Sequence, residues 1–152
     1  MTISRGDSSP QRLVPRVSGT KLLAAGAFDP APKAIDCAWA RVATFFIDYQ
    51  EGGAGGAPQM IIELSDGVTF GRTPIIDDSV LTLVAGIGDA AGTAAFIDQE
   101  ILRFRPRAAF STTFKFRIEK GVFAIRPNFA EYPPGTLATP GTLGCVVLLS
   151  VD

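Results

Sequence analysis

The carboxylates near residue 100 are the first candidates for chemistry in this sequence. Asp98 and Glu100 are two residues apart, so on a β-strand both side chains would lie on one face. Such a pair can serve a glycosidase as acid and base. Asp77 and Asp78 precede an apolar run and suit a solvated turn. The sequence contains no histidine, which removes the commonest general base and the Ser–His and Cys–His nucleophile pairs. We therefore expect no catalytic residue.

A basic run follows these acids directly. Arg103, Arg105 and Arg107 alternate with Phe104 and Pro106. Arginines interleaved with an aromatic ring can grip single-stranded nucleic acid. However, the formal net charge is −1 and the pI is about 5.4, so the chain has no long-range attraction for a polyanion. We predict no nucleic-acid binding. Instead, we expect these arginines to pair with acids of another subunit.

Metal ions and cofactors are not indicated by the sequence. Cys37 and Cys145 are too few for a zinc site or a disulfide framework and suit small buried side chains. The glycine-rich segment 51–58 has no Lys-Ser or Lys-Thr after it, so it predicts a hairpin tip rather than a phosphate-binding loop. No apolar run approaches the ~18 residues that cross a bilayer, and the first residues lack the apolar core of a signal peptide. We expect no metal, no cofactor and no membrane contact.

Residues 1–18 predict an extended basic arm. Arg5, Arg12 and Arg16 stand there against a single acid, Asp7, with two prolines and neither a helical nor a strand period. An arm of this length spans roughly 60 Å when extended and would become ordered on binding. We predict that these arginines contact a partner protein.

Residues 19–152 predict one β-sandwich domain. Short apolar runs alternate there with Gly, Pro and Asp clusters at fairly even spacing, which is typical of a sandwich or a barrel. The predicted strands are residues 20–28, 35–49, 59–65, 80–87, 95–104, 111–119, 122–129 and 142–151. Phe114, Phe116 and Ile118 alternate with charged residues, so that strand has one wet face. Residues 145–149 are apolar at every position, so the last strand is central or covered by a partner.

Eight strands favour a jelly roll, in which two four-stranded sheets pack face to face and the first and last strands lie close. The tight Lys120-Gly121 turn favours a hairpin within one sheet instead. The sequence therefore predicts an all-β sandwich, with the jelly roll as the preferred arrangement.

Aromatic residues outside the strand alternation leave a second function class open. Trp39, Tyr49 and Tyr132 are candidates for the exposed platform of a carbohydrate-binding sandwich, although Trp39 also suits an interior position. Tyr132 is followed by two prolines and predicts a loop that contacts a partner.

The order of these features resembles that of small β-sandwich virion proteins of tailed bacteriophages, among them capsid decoration proteins and tail or fibre modules. The resemblance covers most of residues 20–152. It is carried by the aromatic-rich run 35–49, the glycine-rich tip, the Ser65-Asp66-Gly67 turn with Phe70 and Arg72 after it, the run 113–125, and the stretch 139–143 before the last strand.

This resemblance implies a non-catalytic structural protein of a virion, made in the host cytoplasm. A capsid decoration, cement or minor capsid protein is preferred over a tail, baseplate or fibre component. It further implies a homo-oligomer, which we expect to be a trimer, and an arm that docks on other virion proteins such as the major capsid protein. A carbohydrate-binding module is the alternative.

Overall fold

The computed structural model describes residues 10–24, 26–52, 56–72, 95–98, 101–104, 109–132 and 139–151; for residues 95–98 and Tyr132 only the backbone is described. All regular structure in these ranges is β, and they contain no helix that could span a membrane. The strands are β1 (Gln11–Arg16), β2 (Ile35–Asp36), β3 (Val42–Gln50), β4 (Ala57–Ser65), β5 (Phe70–Arg72), β6 (Ala95–Asp98), β7 (Ile101–Phe104), β8 (Ala109–Arg117), β9 (Ala124–Tyr132) and β10 (Thr142–Ser150).

The strands form two antiparallel sheets with jelly-roll connectivity. Sheet A has the order β1-β10-β3-β8, and sheet B has the order β2-β9-β4-β7-β6, with β5 beside the end of β4. From β1 to β4, and again from β7 to β10, each strand lies in the sheet opposite to the strand before it. The Lys120-Gly121 turn therefore joins strands of different sheets and does not close a hairpin. The predicted sandwich and its preferred jelly-roll form are confirmed.

Part of the predicted arm is a strand. Residues 11–16 form β1, which pairs with β10 from Gln11 opposite Leu149 to Arg16 opposite Cys145. Pro15 had argued against a strand, but β1 is an edge strand and its register shifts between Leu13 and Arg16, and both conditions tolerate proline. The sandwich thus includes residue 11 onward and not only residues 19–152. Residues 1–9 lie outside the described residues.

The predicted strand 35–49 is two strands in opposite sheets. A turn separates them, in which Ala40 N–H donates to the Cys37 carbonyl at 3.0 Å. Both of these small side chains are fully buried. The prediction for residues 20–28 was wrong, since Lys21 makes only one isolated bridge, to Thr142. The prediction for residues 80–87 lies outside the described residues, and β5 was not predicted.

Alternation along the strands places the core as expected. Phe114 and Phe116 of β8 are buried, while Lys115 and Arg117 between and after them are exposed. In β10 the side chains of Cys145, Val147 and Leu149 are fully buried, and the intervening side chains are half-buried. β10 lies between β1 and β3, which confirms the central position predicted for a strand that is apolar on both faces.

Aromatic rings pack within sheet A and also join sheet A to sheet B. Phe45 of β3 stacks on Phe114 of β8, with ring centroids 5.1 Å apart. Phe104 of sheet B stacks at the same distance on Phe110 of sheet A, and Phe110 also meets Tyr49 at 5.5 Å. Aromatic pairs at these separations stabilise a core by about 0.5–1.5 kcal/mol beyond the area they bury.

The two cysteines are predicted to be inert in the native protein. Burial raises the pKa of Cys37 to about 11 and that of Cys145 to about 12, and the charges of Asp36 and Asp48 add to these shifts. Because the thiolate is the reactive species, neither thiol should react with an aromatic disulfide reagent at about pH 8, and both should react in urea. Fast stoichiometric labelling of the folded chain would contradict this prediction.

Candidate interaction surface

The arginines predicted for the arm have different environments. Arg12 is exposed on β1. Arg16 is half-buried, and it donates from Nε to the Leu143 carbonyl at 2.9 Å and from Nη2 to the Lys21 carbonyl at 2.7 Å. Burial lowers the pKa of Arg16. Arg16 therefore fastens the chain after β1 to the start of β10. Arg5 lies outside the described residues.

The other predicted site residues are only partly described. Arg103 is half-buried on β7, opposite Gln59 of β4, and Phe104 beside it is fully buried as expected for a core residue. Tyr132 ends β9, and nothing is described of its side chain. Arg105, Arg107, Asp77, Asp78 and Glu100 lie outside the described residues, as does the side chain of Asp98. The acid pair near residue 100 is therefore not tested.

Turns at one end of the sandwich carry exposed apolar side chains. Val68, in the β4–β5 turn, is 88% exposed, and Phe123, just before β9, is 52% exposed. Val151, after β10, is 46% exposed. We call Val68, Phe123 and Val151, together with the cleft beside them, the apolar end. Isolated apolar residues are common on protein surfaces. Whether these side chains suit contact with a partner therefore depends on how firmly their turns are held.

Hydrogen bonds fix the β4–β5 turn, which carries Val68. Asp66 Oδ1 accepts from the backbone N–H groups of Thr69 at 3.0 Å and Val68 at 2.9 Å, and these bonds lower the pKa of Asp66. Gly67 adopts a φ of +105°, which favours glycine. The Phe123 ring lies 3.6 Å from the position a Cβ of Gly67 would occupy. The Phe123 ring therefore lies against the turn that carries Val68.

The backbone of Phe123 ties this place to both neighbouring strands. Its N–H donates to the Ser65 carbonyl at 2.8 Å, and its carbonyl accepts from Cys37 N–H at 2.8 Å. Apolar side chains held in this way lose little conformational freedom when a partner covers them.

A cationic cleft of about 490 Å³ lies at the same end of sheet A. Three cations, Arg41, Arg117 and Lys120, line it together with one acid, Glu119. Its apolar lining comes from Val42, Ile118 and Val151. This balance of charge is complementary to an acidic segment of a partner protein.

The outer face of sheet B is occupied by contacts within the chain. Arg126 Nε lies 3.0 Å from Glu63 Oε1, and its guanidinium carbon lies 3.8 Å from the centroid of the Phe70 ring. Arg126 is thus held by Glu63 and by Phe70, and these contacts give Arg126 a structural role. No cluster of acids and cysteines that could hold a metal occurs in the described ranges.

A buried carboxyl lies inside the opposite end of the sandwich. Glu131 is fully buried, and its Oε1 accepts from Gly141 N–H at 2.8 Å. The Tyr49 hydroxyl lies beside this carboxyl, yet none of the described residues completes a well-formed hydrogen bond to Glu131 Oε2 or Tyr49 Oη. Burial raises the pKa of Glu131, the charge of Glu51 adds to this, and the contacts with Gly141 and Tyr49 oppose it. Burial also raises the pKa of Tyr49.

We expect Glu131→Gln to stabilise the protein above neutral pH. The folded protein holds the Glu131 proton more tightly than the unfolded chain, so the contribution of Glu131 to stability is full below the ordinary pKa of 4.5 and is lost as pH rises through the folded value. The Gln side chain keeps the acceptor for Gly141 N–H and removes the charge, which should add about 1 kcal/mol at pH 8.

Urea unfolding at several pH values tests this expectation. Tyr49→Phe is the matched comparison: it removes a contact that opposes the rise in the Glu131 pKa, so it should strengthen the pH dependence, whereas Glu131→Gln should abolish it. A Glu131→Gln variant that is less stable than the wild type at every pH would show that the charged carboxylate is needed.

The sequence did not reveal the apolar end. The turns at Asp66-Gly67 and Lys120-Gly121 were predicted, and the apolar residues that follow each glycine, Val68 and Val122-Phe123, were the available signal. Arg41 is far from Arg117 and Lys120 in the chain and meets them only in the fold.

The fold is that of known β-sandwich proteins. No family model matches this chain, and no curated protein matches it. A mutant VP2 protein of infectious bursal disease virus, in derived T=1 particles, is similar over 99% of this chain and 34% of the VP2 chain, with a TM-score of 0.51 at 12% identity. This chain therefore spans about a third of VP2, and the likeness shows the sandwich fold.

Two further structures are similar at lower TM-scores. The SPBc2 prophage-derived protein YomS has a TM-score of 0.42 at 11% identity, with 97% of this chain and 98% of that chain covered. A carbohydrate-binding module from Cellvibrio mixtus lichenase 5A, in complex with cellotriose, has a TM-score of 0.41 at 8% identity, with 95% and 89% covered.

Proposed function

We propose that this chain is a non-catalytic structural protein of a bacteriophage virion that self-associates. A capsid decoration, cement or minor capsid protein is preferred, and a tail, baseplate or fibre position is the alternative within the same class. The observation that carries the proposal is the apolar end, where exposed Val68 and Phe123 are held rigidly beside a cationic cleft.

The fold supports this proposal. VP2, which shares the sandwich, forms T=1 particles in the structure compared. In a jelly roll the strands run between two ends that consist of turns. The turns at either end can therefore carry contact residues without a change in the core. We propose further that the subunit is made in the host cytoplasm and then joins a shell.

The energetics favour association through the apolar end. Burying a Phe or Val side chain that was exposed stabilises a complex by about 1.5–3 kcal/mol, and a closed ring repeats this contact at every subunit. The cations of the adjacent cleft would give the contact its orientation by pairing with acids of the next subunit. We propose a trimer, with Arg5 and Arg12 reaching the major capsid protein.

The oligomeric state tests the self-association. We expect light scattering of the purified chain to give a small closed ring, and the double variant Val68→Ser, Phe123→Ser to raise its dissociation constant at least about a hundredfold, since two apolar anchors are lost. Val17→Ser is the matched control, because Val17 is 66% exposed but lies in the turn after β1. A monomeric wild type, or a double variant that assembles normally, would contradict the contact.

Membership of a virion needs a separate measurement. Mass spectrometry of gradient-purified particles from the phage or prophage that encodes the chain should detect it at a fixed ratio to the major capsid protein. Gold-labelled antibodies then distinguish the head from the tail. Purified particles in which the chain is not detected would overturn the proposal.

A further inference from the structure

A second cleft lies on the outer face of sheet A, at the end opposite to the apolar end. Its volume is about 470 Å³. The end of β3 forms the floor, the turn at residues 17–20 forms one wall, and the start of β8 forms the other. The lining residues are Ser18, Gly19, Asp48, Tyr49, Gln50, Ala109, Phe110, Ser111 and Thr142.

A missing side chain in β10 creates the first wall. Any Cβ on Gly144 would lie 2.6 Å from the Ser18 Cα and 2.9 Å from Asp48 Oδ2, so only glycine lets the turn cross the strand here. Gly19 supplies the φ of +87° that the turn requires. The Ser18 hydroxyl then donates to Asp48 Oδ1 at 3.0 Å, which orients the carboxylate at the edge of the cleft.

The polar groups of the cleft converge from three strands. Asp48 lies opposite Ser111 of β8, and Gln50 lies opposite Thr142 of β10. Asp48, Gln50 and Ser111 are exposed. The cleft thus offers one carboxylate, one amide and several hydroxyls within the span of a few side chains.

An exposed aromatic ring lies next to these polar groups. Phe46 is 43% exposed and points outward from β3 on the same face as Asp48 and Gln50. It precedes Asp48 by two residues, or about 7 Å along the strand. Val146 of β10 and Thr113 of β8 flank it in the sheet.

We propose that Phe46 and this cleft together bind a neutral saccharide. One sugar ring would place its C–H face on the Phe46 ring, and the next would direct its hydroxyls to Asp48, Gln50 and Ser111. Carboxylate and amide groups match the paired donors and acceptors of adjacent sugar hydroxyls, and few such groups beside an apolar platform suffice to orient a ligand. This inference is independent of the proposed function.

The charge of the cleft selects the class of saccharide. Asp48 is the only charged side chain among the described residues that line it. A single negative charge without a cation disfavours sialylated, sulfated or phosphorylated sugars and also nucleic acid. The platform also differs from the residues that the sequence suggested, since Trp39 packs partly buried against the core and Tyr49 is only 3% exposed.

Amide chemical shifts of the full chain provide the test. The probes are cellohexaose, maltohexaose and xylohexaose at millimolar concentration, with sialyllactose as the anionic comparison. We expect at least one neutral hexasaccharide to shift the amide signals of Phe46, Asp48 and Ser111 in a saturable way. If none does, or if sialyllactose alone does, the proposal is wrong.

Two conservative variants test whether Phe46 and Asp48 contact the saccharide. Phe46→Leu keeps an apolar side chain without the ring, and Asp48→Asn keeps an acceptor for the Ser18 hydroxyl, so both should fold with unchanged melting temperature. Each should weaken binding at least about tenfold. Unchanged affinity in both variants would place the sugar elsewhere.

Phe123→Ser separates this inference from the proposed function. Its exposed ring lies at the apolar end, so the variant should bind the saccharide with unchanged affinity even where it disrupts the oligomer. Loss of saccharide binding in this variant would place the sugar at the apolar end and overturn the cleft proposal.

Discussion

The stack of Phe104 on Phe110 packs the two sheets together at the end that carries the saccharide cleft. It joins sheet B to sheet A, and Phe110 continues to Tyr49, which lies beneath the saccharide cleft and beside Glu131. Most consecutive strands lie in opposite sheets, so the turns that connect them must bridge a core whose thickness the rings set.

The fold was predictable wherever one strand face alone meets the core. β8 shows this best, because its alternation of rings and charges leaves one orientation. β1 was missed because Pro15 is unfavourable in a central strand but acceptable at an edge, and the sequence does not say which strands are edges. The break after Asp36 was missed because it depends on distant partners: Phe123 accepts from Cys37 N–H, and Ser150 accepts from Arg41 N–H.

The candidate sites were less predictable than the fold. The sequence prediction relied on the local density of arginines at residues 103–107. The cleft at the apolar end instead combines Arg41 with Arg117 and Lys120 from a distant segment. Phe46 was indistinguishable from its neighbour Phe45 in the sequence, yet one is exposed and the other fully buried. That distinction needs the register of β3, since a shift of one residue would exchange the two faces.

The position of β10 determines the order in which the protein can fold. This strand forms the middle of sheet A, hydrogen-bonded to β1 on one side and β3 on the other, and all the other strands described here precede it in the chain. A ribosome therefore releases β1 and β3 long before the strand that joins them. Until β10 has been made, β1 and β3 each present an unpaired edge. Sheet A closes only when residues that are distant in the sequence come into contact. Such topologies fold slowly and expose nascent chains to aggregation, so sheet A can close only after β10 has been synthesised.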